Sequence, residues 1–185
     1  MRFFFYIAIL CIPLSLFAQK AKKDMAPSQI WEAGLPFITN YTPEDYKAHV
    51  QNWSFVQDSK GIIYVGNTSG ILEFDGVSWR LLTLPNGSPA KSFAKSEDDI
   101  IYVGAVRDFG YLQPDSIGQM QFKSLLSKLD SPYHNFADIW FTYAIKDAAY
   151  FISDNYIFKW CKNKFKVWKA EKGFGFAGQV RNQIY

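Results

Sequence analysis

From residue 52 onward the chain reads as short apolar runs separated by turn residues. The stretches 53–57, 62–65, 71–74 and 77–82 are strand-like, and turns fall at 58–61, 67–70 and 75–76. Alternation over four to eight residues between Gly, Asn and Asp clusters is the pattern of half-buried strands. Asp75-Gly76 between two apolar runs is a hairpin signal, because both central residues of such a turn tolerate positive φ. The same grouping recurs at 92–95, 100–104, 109–112 and 120–122, then at 139–143, 149–152, 156–160 and 164–168. A further group opens at 174–177 and continues at 183–185. Upstream, Pro36, Asn40 and Pro43 mark turns in an irregular segment, and Thr42 followed by Pro43, Glu44 and Asp45 can start one helical turn.

These groups are repeats of one unit. Residues 62–66 read Ile-Ile-Tyr-Val-Gly, and residues 100–104 read the same. Equivalent tyrosines stand at Tyr64, Tyr102, Tyr150 and Tyr185, with spacings of 38, 48 and 35 residues. A period near 40 with four strands per unit predicts an all-β fold, a β-propeller of four-stranded blades. The competing architecture is a β-sandwich of evenly spaced hairpins; the recurring Tyr-Val-Gly favours the propeller. The predicted organisation is a leader and irregular segment over 19–51, blade one over 52–88 and blade two over 89–135. Blade three then spans 136–172, and blade four starts at 173–185. The long second spacing places an insertion at 124–134. Propellers close with about four to eight blades, so three and a half blades are expected to be an incomplete part of a longer chain.

The N-terminus changes the expected compartment. Arg2 precedes a mainly apolar run over 3–17, and Ala18 offers a small residue before Gln19. This is the pattern of a secretory signal peptide over 1–18, cleaved between Ala18 and Gln19. The run is shorter than the about 20 residues of a membrane span, which disfavours an uncleaved anchor. Past residue 18 the only cysteine is Cys161, so no internal disulfide can form and packing must hold the fold. Hydrophobic residues make up 49% of the chain and aromatics 18%, enough for a folded core rich in strand-forming side chains. The formal net charge of +3 creates no field that would gather nucleic acid.

Catalytic and metal-binding patterns are not found. His49 and His134 lack a second ligand at metal spacing. Asp98-Asp99 is an adjacent pair, whereas glycosidase carboxylates face each other across a substrate from different elements. The run 173–178, Gly-Phe-Gly-Phe-Ala-Gly, lacks the lysine and helix of a phosphate loop and reads as a strand opening a blade. Cys161 lies in a strand-like run and reads as a packed or edge residue. No cofactor is expected.

Several motifs in order carry a family resemblance. Residues 34–41 (Gly-Leu-Pro-Phe-Ile-Thr-Asn-Tyr) are followed by Gln51, Asn52 and Trp53. Asp58, Gly61, the Tyr64-Val65-Gly66-Asn67 run, the 70–76 run Gly-Ile-Leu-Glu-Phe-Asp-Gly and Trp79 come next. Blade two adds Tyr102-Val103-Gly104-Ala105 and Phe109-Gly110-Tyr111-Leu112 with Pro114-Asp115. Over roughly 34–185 the chain resembles the propeller sensors of two-component regulators. The resemblance implies an extracytoplasmic, periplasmic propeller followed by a triple-tyrosine immunoglobulin-like domain and a transmembrane helix. A histidine kinase or a DNA-binding helix-turn-helix then forms the cytoplasmic output. It also implies an oligosaccharide ligand and an inner-membrane protein that pairs as a homodimer. Blade three departs from the pattern, with Lys146-Asp147 in place of a glycine-bearing turn.

Propeller geometry locates one binding hypothesis. Loops between the second and third strands of each blade gather on one face near the axis. Here they carry Asn67, Arg107, Asp108, Asp154 and Asn155, and Trp53 and Trp140 begin inner strands near that face. Hydroxyl-binding groups beside aromatic faces suit a sugar. Each residue also has a structural reading, as a turn residue or a packed blade tryptophan. The expected function is ligand sensing without catalysis. The alternatives are a secreted carbohydrate-binding or adhesion module, and a propeller lyase or glycosidase.

Overall fold

The computed structural model describes residues 38–185. Among the described residues all the strands lie in the compact unit Asn40–Tyr185. The predicted signal peptide, with Ala18 and Gln19, lies outside the described residues. Among the described residues no helix is long and apolar enough to cross a membrane.

Twelve strands form three antiparallel sheets, each in chain order. The first contains β1 (Asn52–Gln57), β2 (Ile63–Asn67), β3 (Gly70–Phe74) and β4 (Trp79–Leu82). The second contains β5 (Ala90–Lys95), β6 (Ile101–Ala105), β7 (Phe109–Pro114) and β8 (Met120–Ser124). The third contains β9 (Phe141–Ile145), β10 (Ala148–Ile152), β11 (Tyr156–Cys161) and β12 (Lys164–Lys169). The insertion between the second and third sheets holds two 3-10 turns, Leu126–Lys128 and Ser131–Tyr133. One difference from the expected strands lies at 174–177, which forms none. A two-residue ladder, β13 (Gln179–Val180) with β14 (Gln183–Ile184), comes after it. Gly173, Gly175 and Gly178 interrupt that stretch, and its rings lie against the third sheet: Phe176 meets Phe141 edge-on at 5.5 Å.

Aspartates build the turns. Asp58 Oδ1 accepts from the Lys60 and Ile62 amides, and Asp75 Oδ1 from the Val77 and Ser78 amides. Asp115 Oδ1 does the same for Ile117 and Gln119. Backbone amides on a carboxylate favour its charged form, and those of Ser78 and Val77 hold Asp75 below its usual range. The helical turn α1 (Pro43–Tyr46) starts where Thr42 donates both its amide and its hydroxyl to Asp45, at 2.6 and 2.9 Å. It ends at Lys47, whose φ is 52°. The segment then covers the outer strands of the first sheet: Tyr41 and Tyr46 pack on Phe74 and Trp79, which stack at 4.5 Å.

Successive sheets pack with β1, β5 and β9 side by side. Alternate residues of each second strand face the next sheet. Tyr64, Ile71, Leu82 and Leu84 meet Ala90, Ile101, Val103 and Ala105. Phe109, Leu125 and Leu129 meet Ile139, Ala149, Phe151 and Phe158, with Phe109 stacked on Phe151 at 4.7 Å. The repeated glycine explains the inner approach. A Cβ on Gly66 would stand 2.8 Å from the Ala90 carbonyl oxygen, and one on Gly104 would collide with Ser92, Ile139 and Thr142. Polar ties fasten the same joints. Ser92 donates to the Ile139 carbonyl at 3.0 Å, and its hydroxyl lies 2.7 Å from that of Thr142. Arg80 binds Glu73 with two bonds and reaches the Met120 carbonyl at 3.0 Å. Ser59 donates its amide and hydroxyl to Asp99 across the first joint, which lowers the Asp99 pKa.

Two loop residues are held from inside. Asn67 is fully buried; its amide nitrogen donates to the His49 carbonyl and to Asn52 Oδ1, and its oxygen accepts from the Ser69 amide. Asp108 is buried and accepts at Oδ1 from the Phe109 amide at 2.7 Å and the Ser124 hydroxyl at 2.6 Å. Burial outweighs these two bonds and raises its pKa above the usual aspartate value.

Two measurements check the glycine joint and the buried carboxyl. Gly104→Ala is expected to lose about 1–3 kcal/mol in chemical denaturation, because the joint cannot admit a methyl group. Gly175→Ala, with open space around it, is expected to stay within about 0.5 kcal/mol. Asp108→Asn keeps an oxygen acceptor for both donors and removes the charge. The unfolded carboxyl titrates at about 3.9 and the folded one higher. Its stabilising contribution is therefore full below about pH 3.9 and is lost as pH rises through the folded value. In thermal denaturation Asp108→Asn is expected to exceed the parent at neutral pH, with the gain vanishing in acid. A variant less stable than the parent at neutral pH would show that the ionised carboxylate is needed.

Candidate functional site

The antiparallel register places the β2–β3, β6–β7 and β10–β11 loops beside the starts of the inner strands. Asn52 pairs with Asn67, Ala90 with Ala105, and the Trp140 amide donates to the Ile152 carbonyl at 3.0 Å. Within this edge, β1 and β5 each carry an irregularity, between Asn52 and Ser54 and between Ala90 and Ser92. The extra residues are Trp53 and Lys91. A bulge re-aims the side chain it inserts, and these two side chains meet.

Lys91 Nζ sits 3.1 Å from the Trp53 ring centroid and 4.9 Å from that of Trp140. Asp138 Oδ2 lies 3.4 Å from the same nitrogen, and the lysine side chain is only 8% exposed. The two indoles meet edge to face at 6.3 Å and remain 37% and 42% exposed. Trp53 Nε1 donates to the Thr68 hydroxyl at 3.2 Å. A cation between two indoles, with a carboxylate beside it, is a favourable and nearly dry arrangement.

Trp140 also forms one wall of a cleft of about 340 Å³. Phe141, Ile152 and Phe174 supply its other apolar walls, and Ser153, Asp154 and Gly175 complete the lining. Phe174 is fixed there by its amide, which donates to the Asp154 carbonyl at 2.6 Å. Tyr143 donates to the Ala177 carbonyl at 2.7 Å and pins the same segment further on. Rings beside a carboxylate suit a ligand that presents an apolar face and hydrogen-bond donors.

Of the residues expected to contact a ligand, Trp53 meets Trp140, and Trp140 lines the cleft together with Asp154. Asn155 is exposed next to Asp154, with its carbonyl accepting from the Ala170 amide. Arg107 is exposed on the β6–β7 loop at a φ of 58°, with its amide donating to the Ala137 carbonyl. Asn67 and Asp108, also expected among the ligand contacts, are buried and support their own loops. Their polar atoms serve the backbone because each loop leaves amides that only a side chain can satisfy. Sequence reasoning missed Lys91, Asp138, Phe141 and Phe174. Lys91 was findable: it precedes Ser92-Phe93 as Trp53 precedes Ser54-Phe55.

No group of His, Cys, Asp and Glu able to hold a metal occurs among the described residues. His49 Nδ1 accepts from the Gln51 amide, His134 Nε2 lies 2.9 Å from the Leu129 carbonyl, and the Cys161 thiol points at Asp147.

No protein-family model and no curated protein matches this sequence. Among solved structures the chain is similar to a catalytically inactive virginiamycin B lyase from Staphylococcus aureus, determined with quinupristin. The TM-score is 0.51 at 15% identity, over 65% of this chain and 41% of that one. The chain thus spans less than half the length of this neighbour, and at this identity the likeness is one of fold alone. That neighbour is a β-propeller, and the three successive four-stranded sheets of this chain have the same architecture: the described residues form part of a β-propeller.

Proposed function

We propose that this chain is the ligand-sensing propeller portion of a bacterial transmembrane regulator of the two-component type, and that it takes a glycan in the cleft beside Trp140. The observation that carries the binding half is the convergence of Trp140, Phe141, Phe174 and Asp154 on the loop face near the inner strands. The signalling half is supported by the ordered motifs from Gly34 to Asp115 and by the N-terminal export pattern. In this reading the signal peptide over 1–18 takes the chain to the periplasm. A transmembrane helix in the longer protein anchors it to the inner membrane, and two copies pair so that occupancy shifts their arrangement. The segment binds no nucleic acid and performs no catalysis. Its effect is transmitted to a kinase or DNA-binding output elsewhere in the protein.

The test is titration of the chain with a panel of neutral, cationic and anionic oligosaccharides, monitored by intrinsic tryptophan fluorescence. At least one glycan is expected to bind with a spectral change. Trp140→Ala is expected to weaken that binding about tenfold or more, the equivalent of about 1.4 kcal/mol. Binding that ignores Trp140, or a panel without any binder, would remove the glycan reading.

A further inference from the structure

We infer that the cleft selects a positively charged, amine-bearing saccharide, an amino sugar in its protonated form. This rests on the proposed glycan site and adds a charge to it. Among the described residues that line the cleft, Asp154 is the one with an ionisable side chain. Among the described residues, Asp154 enters no ion pair, and the bond it makes is through its backbone carbonyl to Phe174. Asp154 is exposed, and with no ion pair among the described residues its carboxylate keeps its acceptor capacity for whatever enters. Three rings, those of Trp140, Phe141 and Phe174, surround the same space.

The molecule already displays this chemistry one step away. The Lys91 ammonium is held by the faces of Trp53 and Trp140 with the Asp138 carboxylate 3.4 Å off. Trp140 belongs to both arrangements. The cleft repeats the aromatic wall beside an aspartate, and its described lining residues include no cation. An ammonium on a sugar ring gains there a charge-assisted hydrogen bond to Asp154 and attraction to the ring faces. The C–H face of the same sugar packs on the walls. A uronate or sulfated sugar meets the opposite: its anion faces Asp154 with no cation to offset it, which makes the site selective by repulsion as well.

The experiment compares three tetramers of similar size on the full chain in mildly acidic, low-salt buffer: fully deacetylated glucosamine, N-acetylglucosamine and galacturonate. Affinities are read by tryptophan fluorescence. The glucosamine tetramer is expected to bind about tenfold or more tightly than its acetylated form, with the galacturonate weakest. Asp154→Asn is expected to erase that preference by weakening the glucosamine tetramer more than the acetylated one, whereas Asp154→Glu retains the preference. Trp140→Ala is expected to weaken both glucosamine-based ligands together. Equal affinity for the charged and neutral tetramers, with Trp140 still required, would overturn the charge selection and leave the glycan reading standing. Preference for galacturonate, or a preference that survives Asp154→Asn, would overturn it too. Failure of all three tetramers, alongside failure of the wider panel, would overturn both readings at once.

Discussion

Successive sheets can share an axis only if their inner strands come close, and closeness at that radius leaves no room for side chains on one side. The chain meets this constraint with Gly66 and Gly104, which let Ala90 and then Ile139 and Thr142 approach the backbone. Further from the axis the gap widens, and larger groups fill it. Tyr64 closes the first joint while burial and the facing Glu73 carboxylate hold its phenol above the usual range. Tyr102 takes the corresponding place at the second joint and meets Phe151 edge-on at 6.1 Å. The Tyr-Val-Gly triplet is therefore a wedge written in sequence: large outside, absent inside, with the intervening valine facing the other way.

In the third sheet the wedge changes. Ile152 stands opposite Phe141 as Gly104 stands opposite Ser92. A branched side chain now occupies the inner position, and the face beyond it carries Tyr150, Ile157 and Trp168. The glycine-rich segment at 173–178 runs along this face as irregular chain, tied by Phe174 and Ala177. Its irregular path brings Phe174 to the edge where Trp140 and Asp154 already stand. The same apolar substitution that ends the glycine pattern thus supplies part of the cleft wall.

Charge is distributed by the same geometry. Asp75 and Asp115 at exposed turns each accept two amides, Asp99 accepts the Ser59 amide and hydroxyl, and all three are held below the usual aspartate pKa. Asp108 makes comparable bonds but is buried, and desolvation reverses the direction. Asp138 neutralises Lys91 inside the aromatic clamp. Asp154 is instead exposed and lines the cleft with Trp140, Phe141 and Phe174.

The sequence by itself determined the strands, their grouping in fours and the recurrence of Tyr64-Val65-Gly66 at Tyr102-Val103-Gly104. Strand alternation, turn chemistry and a fixed period are local properties, so one pass along the chain reveals them. It also marked Trp53, Trp140 and Asp154 as residues of one face, because the up-and-down order of each sheet fixes which loops share an edge. Tertiary structure decided which of the marked side chains look outward. Asn67 and Asp108 have the same residue types and loop positions as ligand contacts would have, yet burial and unsatisfied neighbouring amides turn them in. It decided too that Lys91 lies between two indoles from different sheets, and that 174–177 lines a cleft instead of forming a strand. Those outcomes depend on distances between residues far apart in the chain, which the order of residues does not encode until the sheets have packed.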